Sequence, residues 1–402
     1  MRKTRTGDRP DSAIGPQPAT AQPPELLSEI MPQTIYRVFF GPHGLRAGWS
    51  LVIFYVIFRF LVRAIGEIFV DAQVVNPNST YTAGVSILVE LISFLAMLGA
   101  AAAVALSEQR RTLLVYNLAG PRRTLNSLSG LASGFLAISA LIGILALGGW
   151  LQFGPIALSG IAILKYASLW GCAFLLVGCV EEGLFRCYMQ FTLTRGINFW
   201  WALAAVAALC LDLALRNAHL HAGIAAALVL NLLPGAGNGG ALGVYAAALL
   251  GLPPCLVLHL TKKPGEGFWY AAWVTSTFFG FIHTGNSGEN WIGIFAASMV
   301  GFVFCVSVWV TGSAWWAIGC HAAWDWTETY FYGTADSGIQ ARGHFLSTSP
   351  AGNSFWSGGA DGPEGSVLVL VVLLLLLVAL VAIYGRKRPI LVGAPAAASA
   401  AN

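Results

Sequence analysis

Long apolar runs separated by short polar breaks fill almost the whole chain after residue 48. An α-helix needs about 20 predominantly apolar residues to cross a bilayer. Runs of that kind predict crossings at about 49–70, 83–106 and 127–149, and a long helix from about 162 to Arg195. A further span is expected at 199–215. Residues 221–260 are apolar but interrupted by NLLPGAGNGG, and read as one net crossing with a broken or re-entrant piece. Helices follow at about 268–284, 291–311 and 313–332. The run 366–385, almost pure Val and Leu, is the last. The pattern predicts an all-α polytopic integral membrane protein with roughly ten transmembrane helices. The short alternating segments of a membrane β-barrel are absent.

Composition agrees with this reading. The chain has 402 residues, 56% hydrophobic and only 10% charged, against about 25% charged in soluble domains. The net charge of +4 comes with no basic patch interleaved with aromatics, so nucleic acid is not an expected partner. The seven cysteines lie in apolar stretches without a CxxC pair, which suggests buried thiols rather than a disulfide framework. Lys and Arg collect in the N-terminal tail, in 107–126, near 195 and at Arg386-Lys387-Arg388. The positive-inside rule then puts both termini in the cytosol, with a bacterial cytoplasmic membrane as the expected location. The resulting division is a disordered cytosolic tail 1–48, N-terminal transmembrane helices 49–160 and a core 161–332 with an inserted helical region about 199–260. A Gly/Ser-rich loop 333–365, a C-terminal transmembrane helix 366–385 and a cytosolic tail 386–402 complete it.

Ionisable residues inside the bilayer are expensive and mark function by default. Arg59 and Arg63, four apart in the first crossing, are expected to face protein or snorkel. Most other helices read as blank, and three carry polar groups at helical spacing. The first is Glu181-Glu182-Gly-Leu-Phe-Arg186. Glu182 and Arg186 are i,i+4 and can pair, while Glu181 points about 100° away on an ideal helix. The second is Phe279-x-x-x-His283, whose rings share a face. The third is His321-Ala-Ala-Trp-Asp325. Glu181 and His283 each lie about 15 residues from the expected cytosolic end of their helix, so both sit roughly 22 Å along it. Three helices thus offer polar groups at compatible depths.

The ordered motifs EExxxR, FxxxH and HxxxD, each on its own apolar helix, resemble the CPBP family of intramembrane proteases, which includes CaaX prenyl proteases of the Rce1 type and bacteriocin-processing or self-immunity (Abi) relatives. The resemblance covers about residues 165–332 and implies a CPBP-like helical protease core. It implies peptide-bond hydrolysis in the membrane, with Glu181 as the catalytic glutamate beside Glu182 and Arg186. His283 then joins Glu181 in activating water, and His321 with Asp325 stabilises the oxyanion. Phe279 and Trp324 are candidate substrate contacts. The sequence departs from the family in two places. Glu181 and His283 are 102 positions apart, a long connection, and Asp325 stands where well-studied relatives have Asn. An ionised Asp cannot donate to an oxyanion; it has to be protonated, orient His321, or bind a metal.

A metalloprotease reading is kept beside the glutamate-dependent one, with Zn2+ held by His283, His321, Asp325 and Glu181. There is no HExxH. His219-x-His221 near Asp212 and Arg216 reads as a loop-end cluster, and Cys320 as a buried thiol. The expected partners are the lipid bilayer and a membrane-associated or lipidated protein or peptide substrate. Two rival classes remain: a proton-coupled transporter using the same four groups as a relay, and a non-catalytic membrane scaffold.

Overall fold

The computed structural model describes residues 32–41, 44–71, 82–108, 112–217, 240–286 and 288–385. Its helices are α1 (Ala47–Asp71), α2 (Ala83–Ser107), α3 (Arg123–Leu147), α4 (Ile161–Thr194), α5 (Phe199–Asn217), α6 (Ala241–Thr261), α7 (Glu266–His283), α8 (Trp291–Thr311), α9 (Trp315–Asp325, continued as a π-helical turn Trp326–Tyr332) and α10 (Leu368–Tyr384). The fold is all-α and polytopic. Six helices, α2 to α6 and α8, are long and apolar enough to cross a membrane by length and composition. Helix α10 is apolar but has 17 residues. Six of the ten expected crossings thus have the length and composition of a span among the described residues. The interrupted stretch up to 239, with His219 and His221, lies outside the described residues.

Local chemistry sets several helix ends. Thr82 caps α2 by accepting from the Val85 amide, and Asn290 caps α8 by accepting from Ile292 and Gly293. These contacts satisfy amides that a first turn leaves without partners. Gly312, at φ 78°, ends α8 in the left-handed conformation that glycine adopts without penalty.

Apolar side chains have little preference for protein over lipid, so close backbone approach decides helix pairing. Helix α3 presents Gly130 and Gly134 to α9. A Cβ on Gly130 would strike the Trp316 carbonyl oxygen, and one on Gly134 the Cys320 carbonyl oxygen. Only bare glycine admits this approach, which fixes the height of α9 and with it His321. Ile138, Leu141, Ile142, Phe304, Trp316 and Leu373 are among the buried side chains that bind α3, α8, α9 and α10 into one core.

Three expectations change. Gln33–Phe39 is helical and followed by a two-residue hairpin, so the described part of 1–48 is ordered. The segment after α3 contains β1 (Leu151–Ile156), antiparallel to β2 (Leu346–Pro350), so the expected Gly/Ser-rich loop holds a strand. Trp150 stacks on Trp356 at 5.2 Å beside this ribbon. Backbone pairing, which neither segment reveals alone, holds residues 333–367 against the helices. Lastly, Arg59 and Arg63 are exposed on α1 rather than packed on protein, which leaves the snorkelling alternative.

Candidate active site

Helix α4 changes pitch where its charges lie. Regular α-helix runs to Glu182, and a π-helical turn covers Gly183–Met189. Such turns displace side chains and recur at functional sites. The Arg186 carbonyl, inside this turn, accepts from Asn117 Nδ2 at 2.7 Å. Asn117 in turn accepts the Ala314 amide on its own carbonyl, at the foot of α9. One residue of the α2–α3 connection thus ties two motif-bearing helices together.

The two glutamates part as their spacing predicts. Glu182 is fully buried. Its Oε2 lies 3.1 Å from Arg186 Nε, and its Oε1 lies 2.8 Å from His321 Nδ1. Because a carboxylate only accepts, the His321 Nδ1–H donates. The Arg186 guanidinium is also fully buried, 4.7 Å from the Phe279 ring and within 5.6 Å of Phe185 and Phe304. Gly301 leaves the room it occupies: a Cβ there would stand 2.8 Å from Nη2. Glu181 instead faces a cavity of about 330 Å³, with 29% of its side chain accessible.

Glu181, His283, His321 and Asp325 all line this cavity, so three helices do bring the four side chains together. His283 Nδ1 lies 2.7 Å from the Phe279 carbonyl, an acceptor, so Nδ1 carries a proton and donates it, and in the neutral ring Nε2 keeps its lone pair. The Phe279 ring packs 4.7 Å from the His283 ring. His321 Nε2 lies 3.4 Å from Asp325 Oδ2 and 3.9 Å from Glu181 Oε2, and its ring stacks on Phe304 at 5.7 Å. Asp325 thus sits beside His321 on α9, within reach of its Nε2.

The zinc set fits less well. Among the described residues no three His, Cys, Asp or Glu side chains converge as metal ligands. Each His321 nitrogen faces a carboxylate and His283 Nδ1 is committed to a carbonyl. The arrangement is a hydrogen-bonded acid–base array, and no step below is routed through a metal.

Sequence reading missed several lining residues. Glu90, on the supposedly blank α2, points into the cavity, as do Asn286 and Glu289 from the α7–α8 connection and Asp336, Ser337 and Glu364 from the loop after α9. Glu90 was legible, being the one charged residue of a 25-residue apolar helix. The loop acids carry no local signature; the β1–β2 ribbon and side-chain bonds from Thr329 and Trp324 help hold Asp336 and Glu364 there. Burial raises the Glu289 carboxyl above its ordinary range and lifts Asp336 to about 6. Behind them burial takes Asp361 to about 8, although it accepts from the Asn290 amide.

The remaining candidates have structural settings. Trp324 lines the cavity and donates Nε1 to Glu364 Oε1 at 2.7 Å. Trp315, Trp326 and Tyr330 donate to backbone carbonyls of other segments and brace the packing. Cys320 is buried, and Asp212 pairs with Arg216 at 2.8 Å.

Fold and site together define a polytopic membrane protein with an acid–base site built from three of its helices. The model of the Rce1-like family, described as type II CAAX prenyl endopeptidase Rce1-like, matches residues 255–327 and supports the Rce1-like, CPBP-type identification. The match takes in the end of α6, all of α7 and α8, and α9 through Asp325; α4 and its two glutamates lie outside it. No curated protein and no solved structure matches the chain. The family match supports intramembrane protease activity in general, and with the six apolar helices it fits an integral membrane protein acting on membrane-associated substrates.

Proposed function

We propose that the chain is an intramembrane endopeptidase that hydrolyses a peptide bond of a membrane-associated or lipidated protein or peptide. The observation that carries this reading is the single cavity shared by Glu181, His283, His321 and Asp325. Glu181, with no hydrogen bond among the described residues, and the His283 Nε2 lone pair are the two bases facing that space. Together they hold and deprotonate the attacking water. His321 Nε2–H, aligned by Asp325, donates to the oxyanion that forms at the carbonyl. Glu182 keeps His321 in place from the other ring nitrogen, and Arg186 balances the charge of Glu182. This supports an orienting role for Asp325, so an Asn is not required at that position.

The opposite wall suits the proposed substrate. Phe174, Val177, Ala297, Val300 and Leu373 give the cavity an apolar side that accepts an acyl, prenyl or aliphatic side chain. Phe279 and Trp324 line the same cavity. In this reading the protein sits in a bacterial cytoplasmic membrane with both termini in the cytosol. Activity that survives chelation, in protein free of bound metal, is the expected outcome for glutamate-dependent catalysis. The decisive experiment compares membrane-protein N-termini in cells carrying wild type or Glu181→Ala. New termini present with wild type and lost in the variant are expected; identical sets would refute the assignment.

A further inference from the structure

As the C–N bond breaks the departing amine needs a proton, supplied either by Glu181, which holds the proton taken from water, or by a second acid in the cavity. Neither histidine is free to supply it. His283 Nδ1–H is committed to the Phe279 carbonyl, and His321 offers Nδ1 to Glu182 and Nε2 to Asp325. The loop acids each accept a hydrogen bond on one oxygen that ties them to the cavity wall: Glu289 from Asn286 at 2.6 Å, Asp336 from Thr329 at 2.8 Å and Glu364 from Trp324 at 2.7 Å.

Glu90 differs from all of these. It lines the same cavity, from α2, and no hydrogen bond or ion pair holds it among the described residues. Glu181 and His321 line the same cavity. An acid at membrane depth with no hydrogen-bond donor of its own and a second carboxyl in the same cavity is cheaper neutral than charged. Glu90 and Glu181 are thus two carboxyls in one site, one free to give a proton while the other takes one, the division of labour that paired carboxyls perform elsewhere.

Resting on the protease reading, we propose that Glu90 is the general acid of this site, donating its carboxyl proton to the leaving-group nitrogen. Water oxygen bonds to the carbonyl carbon as Glu181 takes its proton. The C–N pair then collapses onto nitrogen, which takes the proton of Glu90. Transfer of the proton from Glu181 to Glu90 restores the site. One water is consumed, and one carboxylic acid and one amine are formed.

Two measurements test this on the full-length protein, with thermal melting as a fold control. Infrared spectroscopy without substrate is expected to show a protonated-carboxyl band at neutral pH that weakens in Glu90→Gln. An unchanged band overturns the proposal by itself. Cleavage is then compared on a farnesylated CaaX-type peptide and on its depsipeptide, whose scissile amide is an ester. An alcohol leaves with little help from an acid, whereas an amine does not. Glu90→Gln is expected to lower amide turnover by roughly 10²–10⁴-fold and ester turnover by less than about tenfold, with Glu90→Asp partly restoring the amide. Equal loss on both probes assigns Glu90 a structural role and overturns the proposal. Wild type that cleaves neither probe counts against the protease reading, while the infrared result still decides where the proton sits.

Discussion

Glu182 offers the sharpest energetic test, because it lies fully buried between two donors. Its oxygens meet Arg186 Nε at 3.1 Å and His321 Nδ1 at 2.8 Å, and both Glu182 and Arg186 are fully buried. Gln is nearly isosteric, but it has one accepting oxygen where Glu has two. In Glu182→Gln one of the two donors must face an amide N–H, and the Arg186 charge loses its counter-ion. Removing one partner of a buried pair costs about 3–5 kcal/mol. The three rings around the guanidinium still interact with the cation, at about 0.5–2 kcal/mol, so the loss is expected near the lower end, about 3 kcal/mol. Reversible unfolding in mixed detergent micelles measures it. Arg186→Met alone is expected to cost a similar amount, since it strands Glu182. The double variant, which removes both charges, should recover at least about 2 kcal/mol relative to the sum. Additivity within about 0.5 kcal/mol, the behaviour of independent sites, would refute the buried pair as the element that holds His321.

Three further outcomes are expected. Asp325→Asn keeps an acceptor for His321 Nε2–H and should lose less than about tenfold in kcat, whereas Asp325→Ala should lose roughly 10²-fold or more; equal losses would contradict the orienting role. Gly134→Ala drives a methyl into the Cys320 carbonyl and should cost about 1–3 kcal/mol, with activity falling as α9 shifts. Gly143→Ala on the same helix, where a Cβ meets nothing within 4 Å, should be silent in the same melting assay. Asp361 is lifted by burial from 3.8 to about 8, so the folded protein keeps a proton that the unfolded chain has lost. Its stabilisation is therefore complete below pH 3.8 and disappears as pH rises through about 8. Asp361→Asn should flatten the decline of Tm over that window, and an unchanged slope would place the titrating group elsewhere.

The loop after α9 has more to do than its composition suggests. It is rich in Gly and Ser, yet strand pairing, the Trp150–Trp356 stack and the Trp324–Glu364 bond fix it to the helices. Its acids form part of the cavity wall beside Asp325. Substitutions in this loop are therefore expected to affect the site, although no catalytic motif falls within it.

The sequence by itself determined the membrane class, the helix positions and which charged neighbours pair along α4. Bilayer-length apolar runs are set by local composition, and i,i+4 spacing makes neighbours of Glu182 and Arg186 whatever the rest of the chain does. It also separated Glu181 from Glu182, because adjacent helical residues point in different directions. Only the tertiary structure decided which distant groups share a space. His321 meets Glu182 because bare glycines on α3 let α9 approach and set its height. Asp336 and Glu364 reach the cavity in part because β1 captures β2 from a segment almost 200 residues away, a contact made by backbone groups that every residue carries. Glu90 stands between the two cases: its charge was plain in the sequence, but its direction depended on how α2 packs against α4.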